Sequence, residues 1–312
     1  MDLSIVIPLF NEEESLPELT EWIVKVMQKN NFSYEIVFID DGSTDNSWEV
    51  IQNLKKKFPN IRAFRFRRNY GKAAGLYIGF QKAKGNVIIT MDADLQDSPE
   101  EIPALYRMIK EQGYDLVSGW KKKRFDPWLS KNLPSKIFNF TARLVSGLKL
   151  HDFNCGLKAY RKNVAKSIEL YGDMHRYIPI LVKNVGFKKI TEKIVQHRPR
   201  KYGKSKYGLA RFLHGFLDLL TLTFLSNFSK RPMHFFGSLG ILSFISGFMI
   251  LAYLSYEKLF KNVYKITERP LFFFGVLTVI LGTQLFLTGF LGDMIVKNSP
   301  IRNEYQIDEI IE

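Results

Sequence analysis

The chain has 312 residues, of which 46% are hydrophobic, and a formal net charge of +14. That length allows one large domain or two ordinary ones, and the charge calls for an anionic partner: nucleic acid, a phosphorylated ligand or a lipid surface. A single cysteine, Cys155, excludes an internal disulfide and gives no sign of an oxidising compartment.

Met1 to Pro8 carries no basic leader and runs straight into a strand pattern, so no secretory signal is expected. The first strand is Leu3 to Leu9, a β-branched apolar run. Asn11-Glu-Glu-Glu-Ser-Leu-Pro17 follows, and acids with a proline in a first turn suit a helix N-terminus. Tyr34 to Ile39 is the second strand, ended by Asp40-Asp-Gly-Ser-Thr-Asp45, and a helix then runs through Phe58. A third strand lies near Ile61 to Phe66. The loop Arg67 to Gly75 leads into another helix, and Val87 to Met91 is the fourth strand. Strands alternating with helices at roughly 20 to 30 residue spacing predict an α/β fold whose parallel sheet is covered on both faces.

Ligands of such sheets bind beyond the carboxyl ends of the strands, where Asn11, Asp40, Asp41, Lys72, Asp92 and Asp94 fall. Alone, Asp-Asp-Gly-Ser reads as a turn and Glu-Glu-Glu as a solvated helix start. Met91-Asp-Ala-Asp-Leu-Gln96, taken alone, is more often a polar strand end than a site. Together these residues put carboxylates on one rim, where they repel one another unless a cation and a nucleotide intervene. Mg²⁺ takes only one or two protein carboxylates and completes its shell with substrate phosphates. The rim therefore points to a nucleotide-activated substrate.

Trp120-Lys-Lys-Lys-Arg-Phe-Asp-Pro-Trp128 continues to Lys131 and Lys136. A solvated basic loop is the ordinary reading, but Trp120, Phe125 and Trp128 suit a membrane interface. A helical pattern follows with Ile137, Phe138, Leu144, Val145 and Leu148 on one side, and Leu209 to Leu225 repeats the theme. Beside basic clusters, these stripes read as helices lying in the interface plane. Lys121, Arg124, Lys131 and Lys136 are the candidates for holding a lipid phosphate, each lysine as a point charge. His175 and His197 have no metal-ligand spacing to another His or Cys, so packing or hydrogen bonding explains them at least as well. Cys155 reads as a small apolar filler.

Met233 to Tyr256 and Leu271 to Gly292 contain no Asp, Glu, Lys or Arg. As helices they reach about 36 and 33 Å, enough to cross a hydrocarbon core of about 30 Å. Two spans return the chain to its starting side. Lys230, Arg231, Lys297 and Arg302 flank them and place both ends in the cytoplasm, although Lys258, Lys261, Lys265 and Arg269 in the connector weaken that rule. Gly275, Gly282 and Gly289 suggest helix packing between subunits, hence a homo-oligomer through the hairpin.

Ser4-Ile-Val-Ile-Pro-Leu-Phe-Asn-Glu-Glu13, Asp40-Asp-Gly-Ser-Thr-Asp-Asn-Ser47 and Met91-Asp-Ala-Asp-Leu-Gln-Asp-Ser-Pro99 resemble the family 2 glycosyltransferases of the GT-A (Rossmann-like) fold. Asp152 to Arg161, Tyr171 to Pro179 and His197 to Tyr207, with the hairpin, resemble the polyprenyl-phosphate branch, which includes dolichol-phosphate mannose synthase and undecaprenyl-phosphate glycosyltransferases. The resemblance implies nucleotide-sugar contacts at Pro8, Phe10, Asn11, Glu12, Asp40, Asp41, Gly42, Lys72 and Asp92. It implies a divalent metal (Mg²⁺ or Mn²⁺) at Asp92, Asp94 and Gln96, and a catalytic set of Asp94, Asp152 and Asp92. Arg200 and Lys206 match a loop that closes over the diphosphate in relatives.

The implied organisation is a catalytic domain over 1–205, with a membrane-facing segment near 120–150, then an interfacial helix over 206–231. Two spans (233–256 and 271–294) lie within 232–296, and 297–312 is a cytoplasmic tail. The implied reaction is inverting, metal-dependent transfer of one hexose from a nucleotide sugar to polyprenyl phosphate at the inner membrane, with UDP-glucose placed ahead of GDP-mannose as donor. A lipid monophosphate, with a second pKa near 6, is already a ready nucleophile at neutral pH, so a strong base is dispensable and Asp152 can instead orient the acceptor or hold a proton in transit. A processive polysaccharide synthase is the alternative, but the Gln-x-x-Arg-Trp motif of those relatives is missing and only two spans are seen. A basic membrane adaptor or nucleic-acid binder explains the charge but not the acidic rim, which repels an anionic polymer.

Overall fold

A computed structural model describes residues 1–122, 133–199, 201, 202, 224, 228, 231–261 and 266–298. The chain forms two compact units, Met1–Leu220 and Thr221–Glu312.

In the first unit, β1 (Leu3–Leu9), β2 (Tyr34–Asp40) and β4 (Val87–Thr90) are almost wholly buried, as strands covered on both faces must be. With β3 (Ile61–Arg65), β5 (Leu116–Trp120), β6 (Lys158–Arg161) and β7 (Ile190–Ile194) they make one sheet in the order β3-β2-β1-β4-β6-β5-β7. The four strands expected from sequence are present and mutually parallel, with Leu9 beside Asp40 and Val6 beside Thr90. β5, β6 and β7 were not foreseen. β6 runs antiparallel to both neighbours, with Lys158 across from Thr90. That reversal brings its amino end, and the loop before it, to the rim that holds the carboxyl ends of β1, β2 and β4. The chain crosses from β1 to β2 on one side and lies beside β4 on the other, so the ligand crevice of this topology opens at that rim.

Around the sheet lie α1 (Leu16–Lys29), α2 (Ser47–Lys57), α3 (Lys72–Lys82), α4 (Ile102–Lys110), α5 (Leu133–Ser146), α6 (Lys162–Ser167) and α7 (Ile178–Asn184). α1 has Pro17 in its first turn and buries Leu16, Leu19, Ile23, Val26 and Met27, one face at helical spacing. In α3, Gly79 lies so close to β1 that any added Cβ meets the side chain of Val6. α5 departs from the stripe expected of it. Phe138 turns inward onto Tyr177, with ring centroids 5.3 Å apart, and Ala142 is buried, whereas Phe140, Leu144 and Val145 face outward. The apolar surface offered to solvent is thus Phe140-Leu144-Val145 and excludes Phe138.

The second unit contains α8 (Pro232–Lys261) and α9 (Pro270–Lys297), both long and apolar enough to cross a membrane, with a mean hydropathy of 2.0 in each. Only 17% and 11% of their most apolar stretches are buried, which is opposite to the core helix of a soluble domain. The helices pack antiparallel through glycines. A Cβ at Gly240 falls 2.7 Å from the Gly282 carbonyl oxygen, one at Gly247 falls 2.8 Å from that of Gly275, and one at Gly289 falls 3.1 Å from the Gly237 nitrogen. Gly275, Gly282 and Gly289 therefore serve contact within the hairpin. Arg269 meets Glu257 at 2.7 Å near one end, and Asp293 accepts the Met233 N–H at 3.3 Å near the other.

Candidate active site

The loops that leave β1 and β2 are stitched together. Asn11, in the left-handed region at φ 54°, donates its N–H to Ser43 Oγ at 2.9 Å and accepts the Thr44 N–H at 2.8 Å. Glu12 donates its N–H to Ser47 Oγ at 2.9 Å. Pro8, Phe10, Asn11 and Glu12 are all partly buried on this rim.

Asp40 is fully buried, with Oδ1 accepting the Ser43 N–H at 2.8 Å and Oδ2 facing Arg65 at 3.4 Å. Asp41 accepts the N–H groups of Tyr70 and Gly71 at 2.7 and 2.9 Å, while burial pushes its carboxyl above the usual range. Gly42, at φ 73°, has Arg68 so close that a Cβ would fall 2.6 Å from its backbone carbon. The Asp-Asp-Gly turn thus locks the loop after β3 onto the loop after β2. Asp41 carries that contact, while Asp40 closes its own turn through the Ser43 N–H and faces Arg65.

Beyond β4, the carboxylate of Asp92 pairs with the ammonium of Lys72, the first residue of α3. Burial opposes that negative charge, but Lys72 and Lys121, with a smaller contribution from His175, outweigh it and hold the carboxyl well below the usual range. Gly156 lies directly against it: a Cβ there falls 2.5 Å from Asp92 Oδ2. Asp94 is 8% exposed and accepts the Gln96 N–H through Oδ1 at 3.2 Å. Between them Leu95 has φ 61°, a strained value for a leucine, and strain of this kind gathers at functional loops.

The segment after β7 closes along this loop. Asp97 bridges His197 in antiparallel fashion, and Arg198 donates its N–H to the Gln96 oxygen at 2.9 Å. The Arg198 guanidinium then lies 4.3 Å above the ring of Trp22, and Lys201 meets Glu18 at 2.7 Å, both partners being on α1.

Asp152 is 1% exposed and lies in the loop before β6. Its Oδ1 accepts the Asn154 N–H at 3.0 Å and its Oδ2 the Lys121 N–H at 3.4 Å. The side chain of Lys121 turns to Asp97 at 2.7 Å and is 12% exposed, so this lipid-phosphate candidate is an interior cation in this state. Three residues here escaped the sequence reading. Asp97 is buried beside Lys121, Gly156 is the floor under Asp92, and Lys158 is a buried lysine that donates to the Cys155 carbonyl. Burial lowers the Lys158 pKa and pushes the Cys155 thiol up to about 12. The available signals were the spacing Asp92-x-Asp94-x-x-Asp97 and a lysine opening a short apolar run, both weak.

The rim therefore gathers Pro8, Phe10, Asn11, Glu12, Asp40, Asp41, Gly42, Lys72, Asp92, Asp94, Gln96, Lys121 and Asp152. Lys136 is exposed on α5. Arg124, Lys131, Arg200 and Lys206 lie outside the described residues, as does most of the 206–231 segment. Among the described residues no cluster of three or more His, Cys, Asp or Glu side chains forms a complete metal cage. The donors present, Asp92 and Asp94 with the Gln96 amide, are oxygen atoms suited to a hard cation that keeps places open for phosphate. The floor of Gly156 leaves room for that carboxylate. The donor set fits a divalent ion.

Residues 4–169 match the description Glycosyl transferase family 2. Dodecaprenyl-phosphate galacturonate synthase of Rhizobium johnstonii is 36% identical over 95% of this chain and 88% of its own length. Undecaprenyl-phosphate 4-deoxy-4-formamido-L-arabinose transferase of Proteus mirabilis is 33% identical over 99% and 94%. Among solved structures, mannosyl-3-phosphoglycerate synthase of Rubrobacter xylanophilus shares the fold with a TM-score of 0.58 at 13% identity, covering 72% of this chain and 74% of that one. Glucosyl-3-phosphoglycerate synthase of Mycobacterium tuberculosis, solved with Mn²⁺ and UDP-glucose, aligns at TM-score 0.53 and 18% identity over 72% and 78%. The chain belongs to glycosyltransferase family 2.

Proposed function

We propose that this family 2 glycosyltransferase moves a single sugar from a nucleotide-sugar donor to the phosphate of a polyprenyl phosphate, in one inverting, metal-assisted step. The observation that carries the reading is the Asp92 carboxylate at the sheet crevice, held anionic by Lys72 and given room by Gly156. Relatives that act on dodecaprenyl and undecaprenyl phosphate, and align with nearly the whole chain, support the acceptor class. The apolar hairpin and the Phe140-Leu144-Val145 surface suit an enzyme whose acceptor stays in a bilayer.

A divalent ion at Asp92, Asp94 and Gln96 would neutralise the leaving diphosphate as a Lewis acid. Lys72 sits beside Asp92, so it can shift its charge onto a donor phosphate when the ion arrives. The Asn11 loop and Gly42 turn shape the nucleotide side, where Pro8, Phe10 and Glu12 contribute. Asp152 orients the acceptor, and its contact with the Lys121 backbone keeps a cation nearby. Lys121, Arg124, Lys131 and Lys136 are assigned to the acceptor phosphate, and Arg200 and Lys206 to the diphosphate. The catalytic unit over 1–205 and both chain ends face the cytoplasmic side of the inner membrane. UDP-glucose comes first among donors and GDP-mannose second, with nucleotide-linked galacturonate and 4-deoxy-4-formamido-L-arabinose brought in by the relatives.

The test is to incubate membranes holding the full chain with a panel of labelled nucleotide sugars and polyprenyl phosphate, then count label in the lipid extract. One sugar should label the lipid in the wild type, and Asp94→Ala should abolish that labelling while the protein still folds. Label entering a growing polymer would overturn single transfer. Retained turnover in Asp94→Ala would overturn the metal role.

A further inference from the structure

We propose that Glu192 on β7 is a positioning residue for sugar transfer, fixing through His151 the backbone that carries Asp152. The inference rests on the reading that Asp152 orients the acceptor.

Three side chains from three elements hold the chain on either side of Asp152. Ser118 of β5 donates its hydroxyl to the Asp152 carbonyl at 3.2 Å, and Asn139 of α5 accepts the Phe153 N–H at 3.2 Å. Glu192 accepts the His151 N–H through Oε2 at 2.6 Å. Ser118 and Glu192 are register partners in the parallel pairing of β5 with β7. Their side chains therefore leave the sheet on one face and reach two consecutive residues of the loop. Lys193, the next residue of β7, leaves on the other face and pairs with Glu101.

Glu192 differs from the other two anchors. It is charged, and it holds His151 twice, since Oε1 also pairs with the ring at Nδ1. That ring lies flat on the indole of Trp120, the last residue of β5, with centroids 4.1 Å apart and planes inclined by 12°. Residue 151 is thus gripped by backbone, ring edge and ring face, immediately before the acid.

The side chain of Glu192 is only 14% exposed, against 51% for that of His151. A carboxylate at that depth loses hydration that an apolar residue never needs, so packing of β7 alone does not call for an acid. The need lies in Asp152. Its Oδ1 bond to the Asn154 N–H is local and travels with the loop, and its Oδ2 bond to the Lys121 N–H is long at 3.4 Å. Tethers on the backbone therefore matter to where the carboxylate stands. A misplacement of about an ångström costs on the order of 100-fold in rate.

The full chain is assayed in bilayer nanodiscs with undecaprenyl phosphate and the labelled nucleotide sugar that wild-type membranes transfer. Hydrogen exchange is followed in the peptide that contains His151. Glu192→Ala should lower kcat on the order of 100-fold and leave the donor KM within about twofold. Exchange of that peptide should quicken at least about tenfold. Glu192→Gln keeps an oxygen for the His151 N–H and should transfer within about fivefold of wild type. In an Asp152→Asn background the positioned carboxylate is already gone, so Glu192→Ala should cost no more than about twofold further.

Wild-type kcat in Glu192→Ala beside an inactive Asp152→Asn would overturn this inference alone. So would unchanged exchange at His151, a loss in Glu192→Gln as deep as in the alanine variant, or a full further loss in the double variant. A donor KM that worsens in step with kcat would make Glu192 a support of the whole fold and overturn it too. Wild-type transfer by Asp152→Asn would overturn instead the reading of Asp152 on which it rests.

Discussion

The backbone of Gly156 lies so close to Asp92 that a methyl group placed on it would come within 2.5 Å of a carboxylate oxygen. The loop leading into β6 thus sets the position of an acid that follows the neighbouring strand β4. Gly156 has no unusual backbone conformation, so alanine is tolerated by the chain and resisted only by the carboxylate. Gly156→Ala should therefore displace Asp92 by a fraction of an ångström to about an ångström, which costs on the order of 100-fold in kcat/KM. Overpacking of this size destabilises by about 1–3 kcal/mol. Transfer of labelled sugar read beside a thermal melt separates the two effects, and full activity in the variant would show that the carboxylate does not need its present position.

Lys72 governs how far Asp92 resists protonation. Burial favours the neutral acid, and the ammonium of Lys72 with that of Lys121 reverses the balance. Lys72→Met removes the nearer charge, so the Asp92 pKa rises. The carboxylate is then lost at a higher pH on acidification, and the acid limb of the rate profile should move upward. Lys72→Arg keeps a charge and should leave that limb near its wild-type position. Turnover of both variants across pH 4 to about 8, set against reference carboxylate values, checks the sign. An unmoved limb in Lys72→Met would detach Asp92 from the rate.

The first half of the sheet was legible because β1, β2 and β4 are buried on both faces and so appear as unbroken apolar runs. β6 and β7 gave no such signal. Lys-Ala-Tyr-Arg is four residues with a charge at each end, and Ile-Thr-Glu-Lys-Ile is half exposed on the sheet edge. Nor does local pattern reveal that β6 runs backwards, which is what brings Asp152, Gly156 and Lys158 to the rim. At the site, strand ends correctly marked where the acids gather. Their division of labour was hidden: Asp40 closes its own turn, Asp41 holds the loop after β3 through backbone N–H groups, and Asp97 neutralises Lys121, pairings that no local sequence pattern encodes.

Far from the rim, Glu35 offers a stability test with a defined sign. It is 2% exposed and accepts from Ser4 Oγ at 2.6 Å, Arg62 Nη1 at 2.8 Å and the Lys84 N–H at 2.6 Å. Burial opposes its charge, but Arg62 and these hydrogen bonds win and lower its pKa from 4.5. A lowered acid contributes stability that is complete above its unfolded value and fades as pH falls through the folded one. Glu35→Gln should cost about 2 kcal/mol at pH 7, a figure reduced because Arg62 is partly solvated. It should also flatten the loss of stability below about pH 4.5. Melting of the detergent-solubilised chain at pH 7 and pH 4 measures both, and equal slopes in variant and wild type would remove Glu35 from the acid response.

Cys155 supplies the last prediction, because burial, helped by the Asp97 and Asp152 carboxylates and opposed by Lys121 and Lys158, pushes its thiol from 9.0 up to about 12. The thiolate is the reactive form, so a rise of that size leaves about a thousandfold less of it at pH 8. Iodoacetamide should label the folded chain negligibly over a period that labels the urea-unfolded chain completely. Its sulfur lies against Gly119, where a Cβ would fall 2.7 Å from Sγ, and it fills space between β5 and the loop before β6. Cys155→Ala should then keep sugar transfer within a few-fold while lowering stability by about 1 kcal/mol, the cost of a small cavity. Rapid labelling of the native protein, or loss of transfer in the alanine variant, would instead assign the thiol a part in the chemistry of the rim.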